Sequence, residues 1–303
     1  MKIVTYHHHT GPRGGILVDD EVYDLEQVLA ETPEATRGAY SSVTELLSNY
    51  GDDITALSQA VGRTIASTAL PPRGKLNELR LDAPVDAPSK VLCIGLNYKD
   101  HVAETGRELP KYPDVFAKFA STLIGPDDEI LGRSLTDNLD FEGELAVVIG
   151  QSAKDVSEAD ALDHVAGLTL LNDITARDLQ YRGTQWLPGK AVDGSTPWGP
   201  ALVTLDDISD PQSLELVTRI NGAEFQRSNT RHQIFSVARI VSYLSSFLTL
   251  HPGDVIATGT PQGIGAKRNP PVWLDSGDVV EIDIEEVGTL RNTVAPAMTS
   301  KSK

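Results

Sequence analysis

Short apolar runs over residues 2–6 and 16–19, with Val22 and Leu25 just beyond them, predict three strands at the start of the chain. The pattern then changes. Val43, Leu46 and Leu47, and later Ile54, Leu57, Val61 and Ile65, recur at spacings of three and four, the signature of amphipathic helices within residues 26–69. Leu70-Pro71-Pro72-Arg73-Gly74, Ala83-Pro84 and Ala87-Pro88 break both periods and read as a linker. The pattern predicts a small N-terminal α+β domain at 1–75, a Pro-rich linker at 76–88, a main domain at 89–297 and a tail at 298–303.

The main domain is mostly strand-like. Residues 90–95, 142–150, 166–172, 201–205, 214–221, 254–258 and 278–284 look extended, punctuated by Gly, Pro and Asp. Two helices stand out, one over 98–104 and one over 236–248, the latter with Val237, Ile240, Val241, Leu244 and Leu248 on one face. Strands without regular βα alternation argue against a doubly wound sheet and for a mixed α/β fold that is mostly β. There is no internal repeat and no low-complexity segment.

Charge narrows the function. The 303 residues carry 26 basic and 43 acidic side chains, a net charge of −17. Nothing resembles the basic patch that a nucleic-acid binder needs. Apolar runs such as residues 145–150 are far too short to span a bilayer. The opening MKIVTY lacks the apolar stretch of a signal peptide, and the single cysteine, Cys93, lies in an apolar run where a buried inert thiol is the default. These features lead us to expect a reduced, cytoplasmic compartment. The triplet His7-His8-His9 reads as a polar strand end.

The strongest local signal is Asp140-Phe141-Glu142-Gly143-Glu144-Leu145-Ala146-Val147-Val148-Ile149. Alternate residues of a strand share a face, so Glu142 and Glu144 point the same way. Both faces beyond them are apolar, which predicts a strand buried on two sides. Two like charges at a buried strand end need a neutralising partner, and a divalent cation is one. A solvated strand end with two surface glutamates would give the same text. A second apolar run, Val165 to Asn172, ends in Asp173, which would emerge at a strand mouth. Three carboxylates make a hard oxygen site suited to Mg²⁺, Mn²⁺ or Ca²⁺.

Other segments add functional groups. In Asn97-Tyr98-Lys99-Asp100-His101-Val102-Ala103-Glu104, Asn97 is placed to cap a helix that Gly106 stops, and His101 and Glu104 share a face. A carboxylate beside an imidazole strengthens it as a base, though an exposed His–Glu pair on a surface helix fits equally. Arg177 and Lys190 are cations that could bind a substrate carboxylate or form surface salt bridges. Gly259-Thr260-Pro261-Gln262-Gly263-Ile264-Gly265 lacks the ending of a P-loop, but its backbone N–H groups could cradle an anion.

In this order the segments GLNYKDHVAE, DFEGELAVVIG, NDITARDLQ, GKAVDGSTPWGP, NGAEFQRSNT and GDVIATGTPQGIG resemble the fumarylacetoacetate hydrolase family over about residues 85–295. The resemblance implies a mixed β-sandwich roll with a small variable N-terminal domain, usually homodimeric. It implies one Mg²⁺, Mn²⁺ or Ca²⁺ per chain on Glu142, Glu144 and Asp173, and a His101–Glu104 dyad on a lid that orders with ligand. Arg177, Gln180, Lys190 and Thr260 match family positions lining the substrate pocket.

The implied substrate is a small anionic 2-oxo or diketo acid. The leading expectation is hydrolysis of a C–C bond in an acylpyruvate-type acid through a stabilised enolate, with His101 as base and Lys190 stabilising the developing charge. Oxaloacetate decarboxylation, or isomerisation or hydration of an unsaturated 2-oxo dicarboxylate, would use the same machinery, and a non-catalytic metal-binding module is the remaining reading. Residues 105–117 are expected to contribute to specificity as a loop.

Overall fold

The computed structural model describes residues 1–297; the expected tail at 298–303 lies outside them. The chain opens with strands β1 (Lys2–His8), β2 (Gly11–Val18) and β3 (Glu21–Asp24), followed by helices α1 (Leu25–Glu31), α2 (Val43–Tyr50) and α3 (Ile54–Ser67). The two-residue strands β4 (Gly74–Lys75) and β5 (Leu81–Asp82) precede β6 (Val91–Gly95), α4 (Lys99–Thr105) and β7 (Asp114–Lys118). Short β8 (Leu123–Ile124) and β9 (Leu139–Asp140) lead to the long β10 (Gly143–Ile149) and β11 (Val165–Asn172). Then come β12 (Thr175–Ala176), the single turns α5 (Arg177–Gln180) and α6 (Leu187–Lys190), and β13 (Thr196–Thr204). The hairpin β14 (Glu215–Ile220) and β15 (Ala223–Asn229), helix α7 (Val237–Phe247), β16 (Val255–Ala257) and the hairpin β17 (Val279–Ile284) and β18 (Gly288–Thr293) complete the order.

Among the described residues one large sheet runs β4-β3-β2-β1-β13-β11-β10-β16-β6-β7, and a second runs β15-β14-β17-β18. The fold is mixed α/β and mostly strand, as the pattern predicts. The N-terminal strands are continuous with the main sheet through β1 on β13. The proline-rich stretch is laid against them: β5 pairs with β1, the Thr5 hydroxyl donates to the Pro84 carbonyl at 2.9 Å, and Val85 is buried. Strand β1 runs on through His7 and His8, which pair with Pro12 and Gly11.

Strand β10 lies in the middle of this sheet and is buried throughout. Leu145, Val147 and Ile149 enter a core with Ile240, Val241 and Leu244 of α7 and Leu216 and Ile282 of the second sheet. Ala146 and Val148 enter another with Leu46, Leu47 and Leu57 of α2 and α3. Each large aliphatic side chain so buried contributes about 1.5–3 kcal/mol. The helical layer meets the end of β10 backbone to backbone, where a Cβ on Gly51 would lie 1.9 Å from the Gly150 carbonyl oxygen. Only glycine allows that approach.

Strands β7, β15 and β18 were not expected. All three are sheet edges, and β15 and β18 bury few side chains, so they carry no clear apolar period. Residues 105–117, expected to be a loop, run into β7 at Asp114. No helix of the described residues is long and apolar enough to cross a membrane.

Candidate active site

Three strand ends and one glycine-rich loop build the site. Strands β10 and β11 are antiparallel with Gly143 opposite Asn172, so the next pair along the ladder sets Asp173 beside Glu142. The Asp173 N–H donates to the Glu142 carbonyl at 2.9 Å. Glu144, two residues along β10, shares the face of Glu142. Carboxylate oxygens of Glu142, Glu144 and Asp173 lie within 4.8 Å of one another, and all three residues are buried. That spacing is about twice an Mg²⁺–O or Ca²⁺–O distance of roughly 2.0–2.6 Å, the span a single ion bridges.

The buried charges around them are ordered. The Lys190 ammonium donates to Glu142 Oε2 at 2.7 Å and to Asp173 Oδ2 at 2.6 Å. Lys118, at the end of β7, donates to Asp173 Oδ1 at 2.8 Å and to the Ile174 carbonyl. Arg177 donates to Asp140 Oδ2 at 2.8 Å, Glu142 Oε1 at 2.6 Å and Gln180 Oε1 at 3.1 Å. Four buried carboxylates therefore face three buried cations.

The imbalance falls on Glu144. Its one partner among the described residues is the Gly259 N–H, donating to Oε2 at 2.7 Å. Burial, then the neighbouring charges of Asp173 and Glu142, push the Glu144 carboxyl well up. Burial pushes Glu142 up as well, but Lys190 and Arg177 outweigh it and hold that carboxyl well below the usual range. A buried all-oxygen triad with one uncompensated member fits a hard divalent cation, held by Glu142, Glu144 and Asp173.

On α4, His101 Nδ1 lies 3.2 Å from Glu104 Oε2. Glu104 is itself fixed, since its Oε1 accepts from the Gly263 N–H at 2.9 Å. Gly106 ends the helix in the left-handed region at φ 71°, as expected. Asn97 does not cap it. Tyr98 holds the cap position, and the fully buried Asn97 side chain joins the end of β6 to the chain elsewhere: it accepts from Phe235 N and donates to the carbonyls of Phe235 and Thr258.

The glycine-rich loop turns its donors inward, onto the protein's own carboxylates. Gly259 serves Glu144, Gly263 serves Glu104, and Gly265 and Ala266 donate to Asp140 at 2.8 and 3.0 Å. Gly259 takes φ +101°, and a Cβ there would lie 2.7 Å from Asn97 Cβ. Thr260 donates to the Gly143 carbonyl and accepts from Gln226.

These groups surround a cavity of about 200 Å³ lined by His101, Glu142, Glu144, Asp173, Arg177, Gln180, Lys190 and Thr260 among others. The structure thus brings the sequence-derived residues together, with Glu104 behind His101. Sequence reasoning missed Lys118, Asp140 and Gln226. The signal for Lys118 was a lysine set between apolar residues in VFAKFA; it is now fully buried on Asp173. Cys93 is buried as expected, and burial pushes its thiol well up.

Residues 90–295 match the sequence model of the fumarylacetoacetate hydrolase C-terminal family. A mitochondrial oxaloacetate tautomerase of Homo sapiens is 45% identical over 239 residues, covering 78% of this chain and 75% of that one. The structure of a fumarylacetoacetate hydrolase from Exiguobacterium antarcticum superposes with a TM-score of 0.79 at 34% identity, covering 98% of this chain and 99% of the other. A Sphingobium maleylpyruvate hydrolase, solved with manganese(II) and pyruvate, superposes with a TM-score of 0.77 at 27% identity over 98% of this chain and 100% of the other.

Proposed function

The chain belongs to the fumarylacetoacetate hydrolase family, and from that premise we propose that it is a metal-dependent enzyme moving a proton on a short 2-oxo acid, with keto–enol tautomerisation of oxaloacetate as its reaction. The observation that carries this reading is the small cavity in which a base, a buried ammonium and an acidic triad converge. The 45%-identical human tautomerase supports the same substrate.

A divalent cation on Glu142, Glu144 and Asp173 would supply Lewis-acid polarisation of the 2-oxo group. The chain's own residues do the rest. Glu104 accepts a hydrogen bond from His101 Nδ1–H, which leaves Nε2 unprotonated and able to take a proton from C3. The C3–H electron pair becomes the C2=C3 bond, and the carbonyl pair moves to the C2 oxygen. Lys190, already held by Glu142 and Asp173, stabilises that oxygen until it takes a proton from solvent, to which the His101 imidazolium returns the one it removed. Removal of the C3 proton by such a base is typically worth about 10²–10⁴-fold.

Hydrolysis of an acylpyruvate is the second reading, supported by the likeness to maleylpyruvate hydrolase. There His101 would take a proton from water, the hydroxide would add to the distal carbonyl, and the C–C bond would break with its pair leaving as pyruvate enolate, which takes that proton at C3, while the distal fragment departs as a carboxylic acid. One experiment separates them. Enol-rich oxaloacetate is diluted into buffer with enzyme and Mg²⁺, and loss of enol absorbance is followed with and without EDTA, with product identification. Tautomerisation gives accelerated loss without pyruvate, abolished by EDTA. If oxaloacetate equilibrates at the buffer rate while an acylpyruvate is cleaved, hydrolysis replaces tautomerisation.

We also propose a homodimer. The family resemblance motivates it. Sedimentation at micromolar concentration should give about twice 32.6 kDa; a single species at 32.6 kDa removes the proposal.

A further inference from the structure

We propose that Arg107 and Lys267 form a second-carboxylate subsite at the mouth of the cavity, which selects 2-oxo dicarboxylates over 2-oxo monocarboxylates. The proposal rests on the reading above, in which the cavity takes a small 2-oxo acid, and it names the chemistry of that acid's far end.

Five residues that line the cavity can be cationic: His101, Arg107, Arg177, Lys190 and Lys267. The inner three are engaged, His101 by Glu104, Arg177 by Asp140 and Glu142, and Lys190 by Glu142 and Asp173. Arg107 and Lys267 are different. Both are exposed, and neither has a carboxylate partner among the described residues, although the chain carries 43 acidic side chains. Most other arginines find one, including Arg133, Arg182, Arg227 and Arg239. Lys2, Lys99, Lys111, Arg231, Arg268 and Arg291 also lack a carboxylate partner among the described residues, but of the unpaired cations Arg107 and Lys267 are the ones that line this cavity, where an external anion completes the pairing.

Their mounting favours a specific contact over a diffuse field. The Arg107 guanidinium lies 5.3 Å over the Trp186 ring, an arrangement that holds it while leaving its N–H edge free. Trp186 is itself set edge-on to Phe116 at 5.5 Å and pressed against Gly95, where a Cβ would fall 2.6 Å from the ring. Lys267 ends the 3-10 turn Gly265–Lys267, whose first N–H groups are fastened to Asp140. It also lines the adjoining opening with Tyr181 and Trp273, which puts it at the rim.

With the 2-oxo and adjacent carboxylate groups turned toward the inner cluster, the second carboxylate of a short dicarboxylate is left at this rim. A monocarboxylate leaves the two cations unused. The same charges draw a dianion toward a protein whose overall field repels it.

The test uses Mg²⁺-loaded wild type, Lys267→Met and Arg107→Gln. Binding of oxaloacetate, pyruvate and oxalate is measured by competition, with steady-state constants for oxaloacetate. Each variant should weaken oxaloacetate about tenfold, in KM far more than in kcat, since each removes one charged hydrogen bond to the far carboxylate and none to the reacting atoms. Affinity for pyruvate and oxalate, which lack the far group, should hold, and this also certifies the fold. Equal weakening of pyruvate and oxaloacetate, or no change for either, overturns the subsite. So does a wild type that does not prefer oxaloacetate to pyruvate. A wild type that binds oxaloacetate in a Lys267-dependent way without turning it over upholds the subsite and sinks the tautomerase reading instead.

Discussion

Glu144→Ala will lose its bound divalent metal and its turnover together, and it will stay folded. Glu144 is the member of the triad that no cation neutralises. Its removal relieves repulsion from Glu142 and Asp173 and leaves only the Gly259 N–H without its acceptor, a cost of about 1–3 kcal/mol. The corresponding changes at Glu142 or Asp173 are less clean. They strip buried Lys190, Arg177 or Lys118 of partners, and breaking a buried pair from one side costs about 3–5 kcal/mol. Loss of Lewis-acid stabilisation worth several kcal/mol should lower kcat by at least about 10³-fold. Metal content per chain, melting temperature and kcat should be measured on one preparation. Normal metal content with normal kcat would show that the triad is not the site.

His101→Ala should lower kcat for proton transfer on oxaloacetate, or for hydrolysis of an acylpyruvate, by at least about 10²-fold. Oxaloacetate decarboxylation should fall less, because breaking that bond needs no base to take a proton from carbon or water. Glu104→Gln should follow the same order with a smaller loss, and the structure says why it loses at all. The carboxylate accepts two donors on two oxygens, His101 Nδ1–H and Gly263 N–H. An amide has one oxygen, so it must abandon one donor or present N–H to the imidazole and drive its proton onto Nε2. Rates at saturation separate this from looser binding, which appears in KM. Full kcat in His101→Ala would remove the base assignment while leaving the metal site untouched.

Strand β10 was legible because its apolar residues fill both faces while Glu142 and Glu144 keep the period of two. Asp173 was legible as a strand end and no more. Its approach to Glu142 is a matter of register between β10 and β11, and register depends on the pairing of Gly143 with Asn172, far along the chain. Arg177 and Lys190 stood out as cations, but their partners did not, and the structure engages both with site carboxylates. In the sequence Asp140 is only the start of a strand motif; its acceptor role depends on Gly265 and Ala266, 125 and 126 residues away. Such pairings leave no local trace in the text of either segment. Asn97 shows the converse: a good local cap was overridden because the buried side chain gains three hydrogen bonds to distant backbone.

The loop from Gly259 to Ala266 holds Glu144, Glu104 and Asp140 through main-chain amides, so the identity of most of its side chains is irrelevant to that task. Exposed Gln262 can drift among residue types without disturbing any of the three. Length cannot drift. One residue inserted or deleted between Gly259 and Gly265 would slide the later donors out of step with their acceptors, and the base and the carboxylate that secures Arg177 would lose their supports at once. Over evolutionary time this segment should therefore behave like a ruler, rigid in count and in its three glycines and free elsewhere, while changes in what the cavity accepts accumulate in the side chains around its mouth.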